Sequence, residues 1–173
     1  MADMHMMVDI ETLDTEVTAV VLSIGMVIYD PLTITRDSLD SCPTLYYPLD
    51  IQPQLERGRT IGGDTVVWWS RQSAEARGVF TEQPRVSPIY VLSEIVNTLS
   101  RYQVQHVWGN GVDFDNAIIS SLAKSFGAIK PLNYKHNRCF RTLKAMLKQH
   151  IPEEATVPMG THHNALDDAV YQA

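Results

Sequence analysis

The apolar positions at the start of the chain predict a group of neighbouring strands. The segment from Met4 to Ile10 is apolar except for His5 and Asp9, which is typical of a short buried strand. Residues 17–29 are rich in β-branched side chains, and residues 44–48 form a third short run of strand-forming residues. Three strands are therefore expected before the first convincing helix.

Helical spacing dominates the rest of the chain. Apolar residues at helical intervals, or capping residues and prolines at a start, mark five segments: 65–77, 88–99, 115–126, 140–150 and 164–173. Residues 105–108 form a short strand, whereas residues 133–139 are polar and basic and predict a connection. This order predicts an α/β domain with a mixed sheet. The last helix is still in mid-pattern at Ala173, which predicts that it is truncated there.

The composition is that of an ordinary globular protein. A length of 173 residues suits one domain covering residues 1–173, and 45% of the residues are hydrophobic and 20% charged. The chain lacks both the apolar run of roughly 18 residues that a membrane helix needs and a signal peptide, so we expect a cytoplasmic protein that does not enter membranes. Cys42 and Cys139 have no metal-ligand spacing and are expected to be packed thiols.

The charge is unevenly distributed. The net charge is −6, yet residues 101–150 contain eight Lys or Arg and two acids, which makes that segment +6 and the remainder −12. A basic segment of this kind is commonly a solvated helix face. Beside a cluster of acids that binds metal ions, it could instead hold a phosphate backbone, with Lys124, Lys135, Arg138 and Arg141 as candidate contacts.

Asp9 and Glu11 are the first acids with a candidate chemical role. They are two residues apart at the end of a strand, so their carboxylates project from the same face. Two adjacent buried carboxylates repel each other unless a positive charge lies between them. The alternative is a strand end that is already in solvent, and the pair alone does not decide between these interpretations.

Two further segments carry acids at the starts of helices. Asp113 and Asp115 precede and open the helix from residue 115, and His163 comes five residues before Asp168 in the last helix. Helix capping and the helix dipole would favour acids at such positions in any protein. Each segment therefore has a structural explanation by itself, but their joint occurrence in this order does not.

With one acid of the pair Asp113 and Asp115 left to helix capping, these residues supply four carboxylates and one imidazole. Oxygen ligands suit Mg²⁺ or Mn²⁺, and two such ions can activate a water and stabilise the leaving oxygen of a phosphodiester. A histidine can take the proton from that water. The set therefore predicts metal-dependent hydrolysis of nucleic acid.

Three segments resemble the motifs of the DEDDh 3′–5′ exonucleases, a family that includes polymerase proofreading subunits and oligoribonuclease. They are residues 8–12 (VDIET), 110–118 (NGVDFDNAI) and 163–168 (HNALDD), so the resemblance spans nearly the whole chain. The stretches TIGGDTVVWWSRQSAEAR and NRCFRTL are more similar to its phage and bacterial exodeoxyribonuclease VIII-like or exoribonuclease-like branch.

The resemblance implies an RNase H-like fold, a mixed five-stranded sheet flanked by helices in a single domain. It also implies residue roles: metal binding by Asp9, Glu11, Asp115 and Asp168, general base catalysis by His163, and contacts to the terminal nucleotide by Thr12 and Leu13. Asp115 and Asp168 fit the motifs better than their neighbours Asp113 and Asp167.

The implied substrate is a nucleic acid with a 3′ end, single-stranded or with a 3′ overhang, and a homodimer is compatible with the family. The choice between RNA and DNA stays open, because local contacts read the 2′-hydroxyl. Lys135 and Arg138 are the expected phosphate contacts, while Trp68 and Trp69 are expected to pack in the core, with at most one of them facing a substrate. The rival hypotheses are a non-catalytic nucleic-acid binder on the same fold and a phosphodiesterase for very short oligomers.

Overall fold

A computed structural model describes residues 3–152 and 160–173. Its centre is a five-stranded sheet in the order β3-β2-β1-β4-β5. The strands are β1 (His5–Thr12), β2 (Val21–Tyr29), β3 (Thr44–Pro48), β4 (His106–Gly109) and β5 (Asn137–Cys139). Strands β1, β2 and β3 pair antiparallel, whereas β1 pairs parallel with β4 and β4 with β5. The expected mixed five-stranded sheet is therefore confirmed.

Helices cover both faces of this sheet. They are α1 (Gln52–Leu55), α2 (Gly63–Ser70), α3 (Pro88–Arg101), α4 (Asp115–Ser125), α5 (Phe140–Leu147) and α6 (Ala165–Gln172). Short 3₁₀ helices at Arg36–Ser41, Ala76–Phe80 and Tyr134–His136 complete the described elements. Within the described residues, no helix is both long and apolar enough to cross a membrane.

Strand β1 separates the main core from the acids. Met6, Val8 and Ile10 pack in the largest apolar cluster, together with buried residues of α3 and α4. Because side chains alternate along a strand, Asp9 and Glu11 point to the opposite face. Both are buried there, so the alternative of a strand end in solvent does not apply.

Helix α6 lies across this second face and contacts β1 and β2. Gly25 of β2 is paired with Asp9, and a Cβ at Gly25 would overlap the backbone of Ala165 and Leu166. Ala165 and Ala169, one turn apart on α6, are fully buried. These small residues allow the helix to approach the sheet closely and thereby bring its acidic side chains beside β1.

Several predicted boundaries were wrong for local reasons. The second strand begins at Val21 rather than residue 17, because the preceding residues turn and Val20 donates its N–H to Thr60 instead. The helix predicted at 65–77 ends at Ser70, where the side chains of Ser70 and Gln72 bond the carbonyls of Val67 and Trp68.

The polar segment 133–139 is not simply a connection. Its last three residues form β5, an edge strand whose short pairing with β4 overrides a composition that is poor in strand-forming residues. The helix after it ends at Leu147 rather than residue 150. Two prolines predict a loop at residues 151–162, of which residues 153–159 lie outside the described residues. Cys42 and Cys139 are free, half-buried thiols.

Gly25→Ala tests the close approach of α6. The added methyl group would force the helix backbone away from β2, so we expect a loss of about 1–3 kcal/mol in the free energy of unfolding, measured by urea denaturation. Gly78→Ala is the control, because a Cβ there meets nothing within 4 Å and the free energy of unfolding should change by no more than about 0.5 kcal/mol. Equal costs for the two substitutions would contradict a tight contact at Gly25.

Candidate metal-dependent nuclease site

Three carboxylates meet where β1 faces α6. Oxygen atoms of Asp9, Glu11 and Asp168 lie within 4.8 Å of one another. Asp115, the first residue of α4, is buried and lines the same cavity. The structure thus brings together the four acids that the sequence singled out.

The turn before α6 selects Asp168 over Asp167. Asn164 caps the helix, with its side chain accepting hydrogen bonds from the N–H groups of Leu166 and Asp167. The Asp167 carboxylate accepts a hydrogen bond from the N–H of Thr161 at 2.6 Å, so it closes the turn instead of facing β1. Asp168, the next residue, points into the cluster.

The loop between β4 and α4 makes a similar choice between Asp113 and Asp115. Asp113 is exposed. Asp115 is buried, and its carboxylate accepts a hydrogen bond of 3.1 Å from the N–H of Gly111. The short loop after β4 therefore places the first residue of α4 at the cavity that holds the other acids.

Gln172 belongs to the site although the sequence did not indicate it. Its side-chain amide donates a buried hydrogen bond of 2.9 Å to Oδ1 of Asp9, from a position 163 residues away in the chain. Gln172 lies four residues after Asp168, so both side chains face β1 from one side of α6. That spacing was the available signal, but glutamine at a helix end is too common to be noticed alone.

Burial and mutual repulsion oppose the charged form of these acids. Burial, and then the charges of Asp115 and Glu11, raise the pKa of Asp9 well above its usual value. Burial and the charge of Asp168 raise the pKa of Glu11 to about 8. Burial raises the pKa of Asp115 to about 6, although the hydrogen bond from Gly111 acts in the opposite direction.

This cluster has the chemistry of a divalent-cation site. A positive ion between the carboxylates would remove the repulsion that raises their pKa values, and hard oxygen ligands suit small divalent ions. The hydrogen bond from Gln172 would fix one Asp9 oxygen in place, as outer contacts of metal ligands commonly do. The residues present therefore fit such ions.

His163 lies at the edge of the cluster in an unusual backbone conformation. Its φ of 66° is in the left-handed region, and its N–H donates to Oδ2 of Asp168 at 2.9 Å. The imidazole packs edge-on against Trp68, with ring centroids 4.7 Å apart. Burial lowers the pKa of His163, so the neutral form that can accept a proton predominates at pH 7.

His162 has a contact that the sequence interpretation did not foresee. Its Nδ1 lies 3.3 Å from Oδ1 of Asp168, and its ring stacks on His163 with centroids 3.8 Å apart. The side chain is 73% exposed, however. His162 therefore covers the cluster from the solvent side, while His163 is held inside.

A cavity of about 360 Å³ contains these acids and both histidines. We call it the acidic cavity; its lining residues are Asp9, Ile10, Glu11, Asn110, Phe114, Asp115, Phe140, Arg141, Lys144, His162, His163, Asp168, Tyr171 and Gln172. Its two cations, Arg141 and Lys144, are three residues apart on α5. Lys135 and Arg138 do not line it, and Arg138 donates instead to the carbonyl oxygens of Lys135 and Asn137.

A second cavity of about 540 Å³ adjoins the first and shares Ile10, Glu11 and Phe114 with it. We call it the aromatic cavity; its other lining residues are Thr12, Asp14, Thr15, Gly62, Gly63, Asp64, Thr65, Trp68 and Trp69. A β-bulge between Glu11 and Thr12 interrupts the pairing of β1 at this point. Such bulges often lie beside active sites.

Of the two residues predicted to contact a terminal nucleotide, Thr12 lines a cavity and Leu13 lies in the apolar core. Thr12 lines the aromatic cavity. Leu13 is buried in a small apolar cluster with Trp69 and Val20. Trp68 is 40% exposed and lines the cavity, whereas Trp69 is 2% exposed and donates its indole N–H to the carbonyl of Thr12 at 2.8 Å. Both tryptophans line the cavity, but Trp69 is a core residue with almost no exposed surface, and Trp68 presents most of the indole surface that a ligand could reach.

Solved structures of nucleases share this fold. Escherichia coli exonuclease I, in a zinc-bound complex with single-stranded DNA, matches with 14% identity and a TM-score of 0.62 over 99% of this chain and 39% of its own. The nuclease domain of 3′hExo, a DEDDh family member bound to rAMP, matches with 11% identity and a TM-score of 0.61 over 98% and 88%. Cell-death related nuclease 4 (CRN-4) matches with 14% identity and a TM-score of 0.59 over 98% and 61%.

These likenesses establish the RNase H-like fold of the DEDDh exonucleases. The chain spans 39% of the length of exonuclease I. The profile of the 3′–5′ exoribonuclease Rv2179c-like domain matches residues 4–173, and the chain belongs to that family of 3′–5′ exonucleases. A search of the curated proteins gave no significant match. The resemblance to the DEDDh family is confirmed, while placement in the exodeoxyribonuclease VIII-like or exoribonuclease-like branch stays a prediction.

Glu11→Gln tests the electrostatic origin of the cluster. Because the pKa of Glu11 rises from 4.5 to about 8 on folding, its protonated form stabilises the fold below about pH 4.5, and that contribution is lost as the pH rises through about 8. In metal-free buffer, the Tm of the wild type should therefore fall over this range relative to that of Glu11→Gln. Added Mg²⁺ should reduce the difference. Parallel curves without metal would show that Glu11 titrates normally.

Proposed function

We propose that this chain is a metal-dependent 3′–5′ exonuclease that releases nucleoside 5′-monophosphates one at a time. The observation that carries the proposal is the meeting of Asp9, Glu11 and Asp168 within 4.8 Å in a chain of an exonuclease family. Asp115 adds a fourth buried carboxylate at the same cavity. A structural role alone would not retain mutually repelling buried acids, because protein interiors favour paired or neutral groups.

The four acids would hold two Mg²⁺ or Mn²⁺ ions. When bound, such ions make a water more acidic and stabilise the charge that develops on the phosphate. The side chain of Gln172 orients Asp9 for this task through its 2.9 Å hydrogen bond. Arg141 and Lys144 supply further positive charge at the cavity wall.

His163 is the proposed general base. A ring nitrogen takes a proton from the attacking water, whose oxygen forms a bond to the phosphorus of the terminal phosphodiester. The bond from phosphorus to the 3′ oxygen of the preceding nucleotide breaks, and that oxygen is protonated as it leaves. His163 suits this role because it lines the acidic cavity and burial favours its neutral form.

The two cavities suit different parts of a substrate. The aromatic cavity has the apolar surface of Trp68 and Phe114 together with hydroxyl and carboxylate groups, and none of the Lys or Arg residues that the structure describes lines it. It therefore suits a terminal nucleoside, with Thr12 as a contact, better than a phosphate. The acidic cavity with Arg141 and Lys144 suits the phosphate. Lys135 and Arg138 lie outside both cavities and would contact a longer strand further from its end.

Two alternatives predict different outcomes. A non-catalytic binder would hold nucleic acid without cutting it, and a phosphodiesterase for very short oligomers would leave long strands intact. The complete set of acids favours catalysis over the first, and Lys135 and Arg138 favour longer strands over the second. A single-stranded end or a 3′ overhang, a cytoplasmic location and a homodimer stay predictions.

End-labelled substrates test the proposed function. We expect a 3′-labelled strand to release labelled mononucleotide at once and a 5′-labelled strand to shorten progressively, with Mg²⁺ or Mn²⁺ but not with EDTA. RNA and DNA, each single- and double-stranded, would report the substrate preference in the same assay. Release of the 5′ end first, or cutting of a circular strand, would contradict exonuclease action from the 3′ end.

Asp9→Asn is the matched control in that assay. Asparagine retains the oxygen that accepts from Gln172 but removes the charge, so the fold should remain intact. Activity should fall by more than the roughly 10–100-fold that loss of a supporting hydrogen bond costs at metal sites. A wild type as inactive as Asp9→Asn, with binding preserved, would favour the non-catalytic binder.

A comparison of the two histidines tests the mechanism. His163→Ala should reduce kcat by roughly 10²–10⁴-fold, the usual effect of a positioned general base, with metal binding nearly unchanged. His162→Ala should retain most of the activity, because its side chain is mainly in solvent. Single-turnover rates with a 5′-labelled strand would measure the activity of the two variants. If His162→Ala were the inactive variant, the assignment of the base would be wrong.

A further inference from the structure

Four aromatic rings form a continuous path between the two cavities. The ring centroids of Trp69 and Trp68 are 5.1 Å apart, those of Trp68 and His163 are 4.7 Å apart, and those of His163 and His162 are 3.8 Å apart. Trp68 and Trp69 both line the aromatic cavity and contact the ring of the proposed base, but Trp68 is the nearer to His163 and is 40% exposed, whereas Trp69 is buried. Trp68 thus belongs to both parts of the site.

One end of the path is fixed. Trp69 is buried, donates to the carbonyl of Thr12 and packs against Phe80 with ring centroids 5.3 Å apart. Trp68, the preceding residue in α2, packs against this fixed ring along one edge. Another part of its surface is exposed to the aromatic cavity.

The imidazole of His163 depends on this support. Within residues 3–152 and 160–173, it contacts the rings of Trp68, Trp69 and His162 but has no side-chain hydrogen bond. The partner ring of His162 is mainly in solvent. On the face of the imidazole that points to the protein interior, Trp68 is therefore the main contact that holds the ring in place.

We propose that Trp68 is a positioning residue that couples occupation of the aromatic cavity by the 3′-terminal base to the orientation of His163. This inference rests on the proposed function. A base in the cavity packs against the exposed surface of Trp68, because every nucleobase has a flat face that stacks on an aromatic side chain. The indole is then held from both sides, and the imidazole that rests on it is held in the geometry for proton transfer.

The coupling has a kinetic consequence. Binding energy that orients a catalytic group raises kcat, whereas binding that is equal in the ground and transition states changes KM alone. The terminal base is remote from the bond that breaks. Its removal should nevertheless lower kcat if Trp68 transmits its presence to His163.

The experiment crosses two enzymes with two substrates. Wild type and Trp68→Leu would each act on a single strand with an ordinary or an abasic 3′-terminal nucleotide, in saturating Mg²⁺. For the wild type, we expect the abasic end to lower kcat by on the order of 10²-fold, the effect of a misplaced catalytic group. Trp68→Leu should have a low kcat on the ordinary end and lose little more on the abasic one.

Two further variants act as controls. Trp68→Phe retains a ring against His163 and should recover part of both kcat and its dependence on the terminal base. Val67→Ala changes an exposed neighbour on α2 that lines neither cavity, and it should behave as the wild type. Trp68→Phe also provides the test if the leucine variant folds poorly.

The outcomes separate this inference from the proposed function. The coupling would be overturned if Trp68→Leu lowered kcat by the same factor, relative to the wild type, on the ordinary and on the abasic end. A change confined to KM would overturn it as well. Either result would leave the exonuclease assignment intact. A wild type that cuts neither substrate from the 3′ end would overturn the proposed function and the coupling with it. Loss of the base dependence in Trp68→Leu, with partial recovery in Trp68→Phe, supports the coupling.

Discussion

The mutual repulsion of buried carboxylates is the constraint on which the rest of the site depends. Asp9 and Glu11 share one face of β1, and burial raises the pKa values of both. Each further acid increases that cost, so a fold with this cluster is stable only with protons or cations between the acids. The same cost would favour binding of divalent ions by the cluster, because a bound cation would remove the repulsion. The proposed metal affinity would therefore come from an unfavourable interaction in the fold that the ion relieves.

The elements around β1 determine which side chains surround the acids. Helix α6 contributes Asp168 and Gln172 from one side, and its approach depends on the absence of a side chain at Gly25. Gln172 donates to Asp9 without adding charge, so it orders one ligand while leaving the balance of charges unchanged. Arg141 and Lys144 lie on α5 at the cavity wall. Over the part of the chain that the structure describes, neither forms a salt bridge with the acids, although the charge of Arg141 lowers the pKa of Asp115. They would therefore leave the acids available for the proposed metal ions.

The sequence was sufficient to predict the sheet and the four acids but not the whole site. Alternation along β1 and the spacing from His163 to Asp168 are local patterns, and local patterns survive folding. Asn137–Cys139 was not recognised as a strand because its pairing with β4 comes from the tertiary structure rather than from composition. The contacts of Gln172 with Asp9 and of Trp68 with His163 depend on how separate elements pack, so the spacing from Asp168 to Gln172 was too weak a signal alone. Arg141 was recognised only as one of several candidate phosphate contacts. The basic residues were recognised as a group, but which of their side chains face the acidic cavity depends on the placement of α5 and β5.

The seating of α6 against Gly25 also makes the site sensitive to partial unfolding. The helix and the turn before it carry Asp168, Gln172 and His163 together, so a fluctuation that lifts this one unit from the sheet would separate three of the proposed site residues from β1 at once. Asp9 and Gln172 lie 163 residues apart in the chain, so their hydrogen bond depends directly on this contact between helix and sheet. The proposed ligand set would therefore be lost and restored as one unit, through a single local opening of the structure, rather than residue by residue.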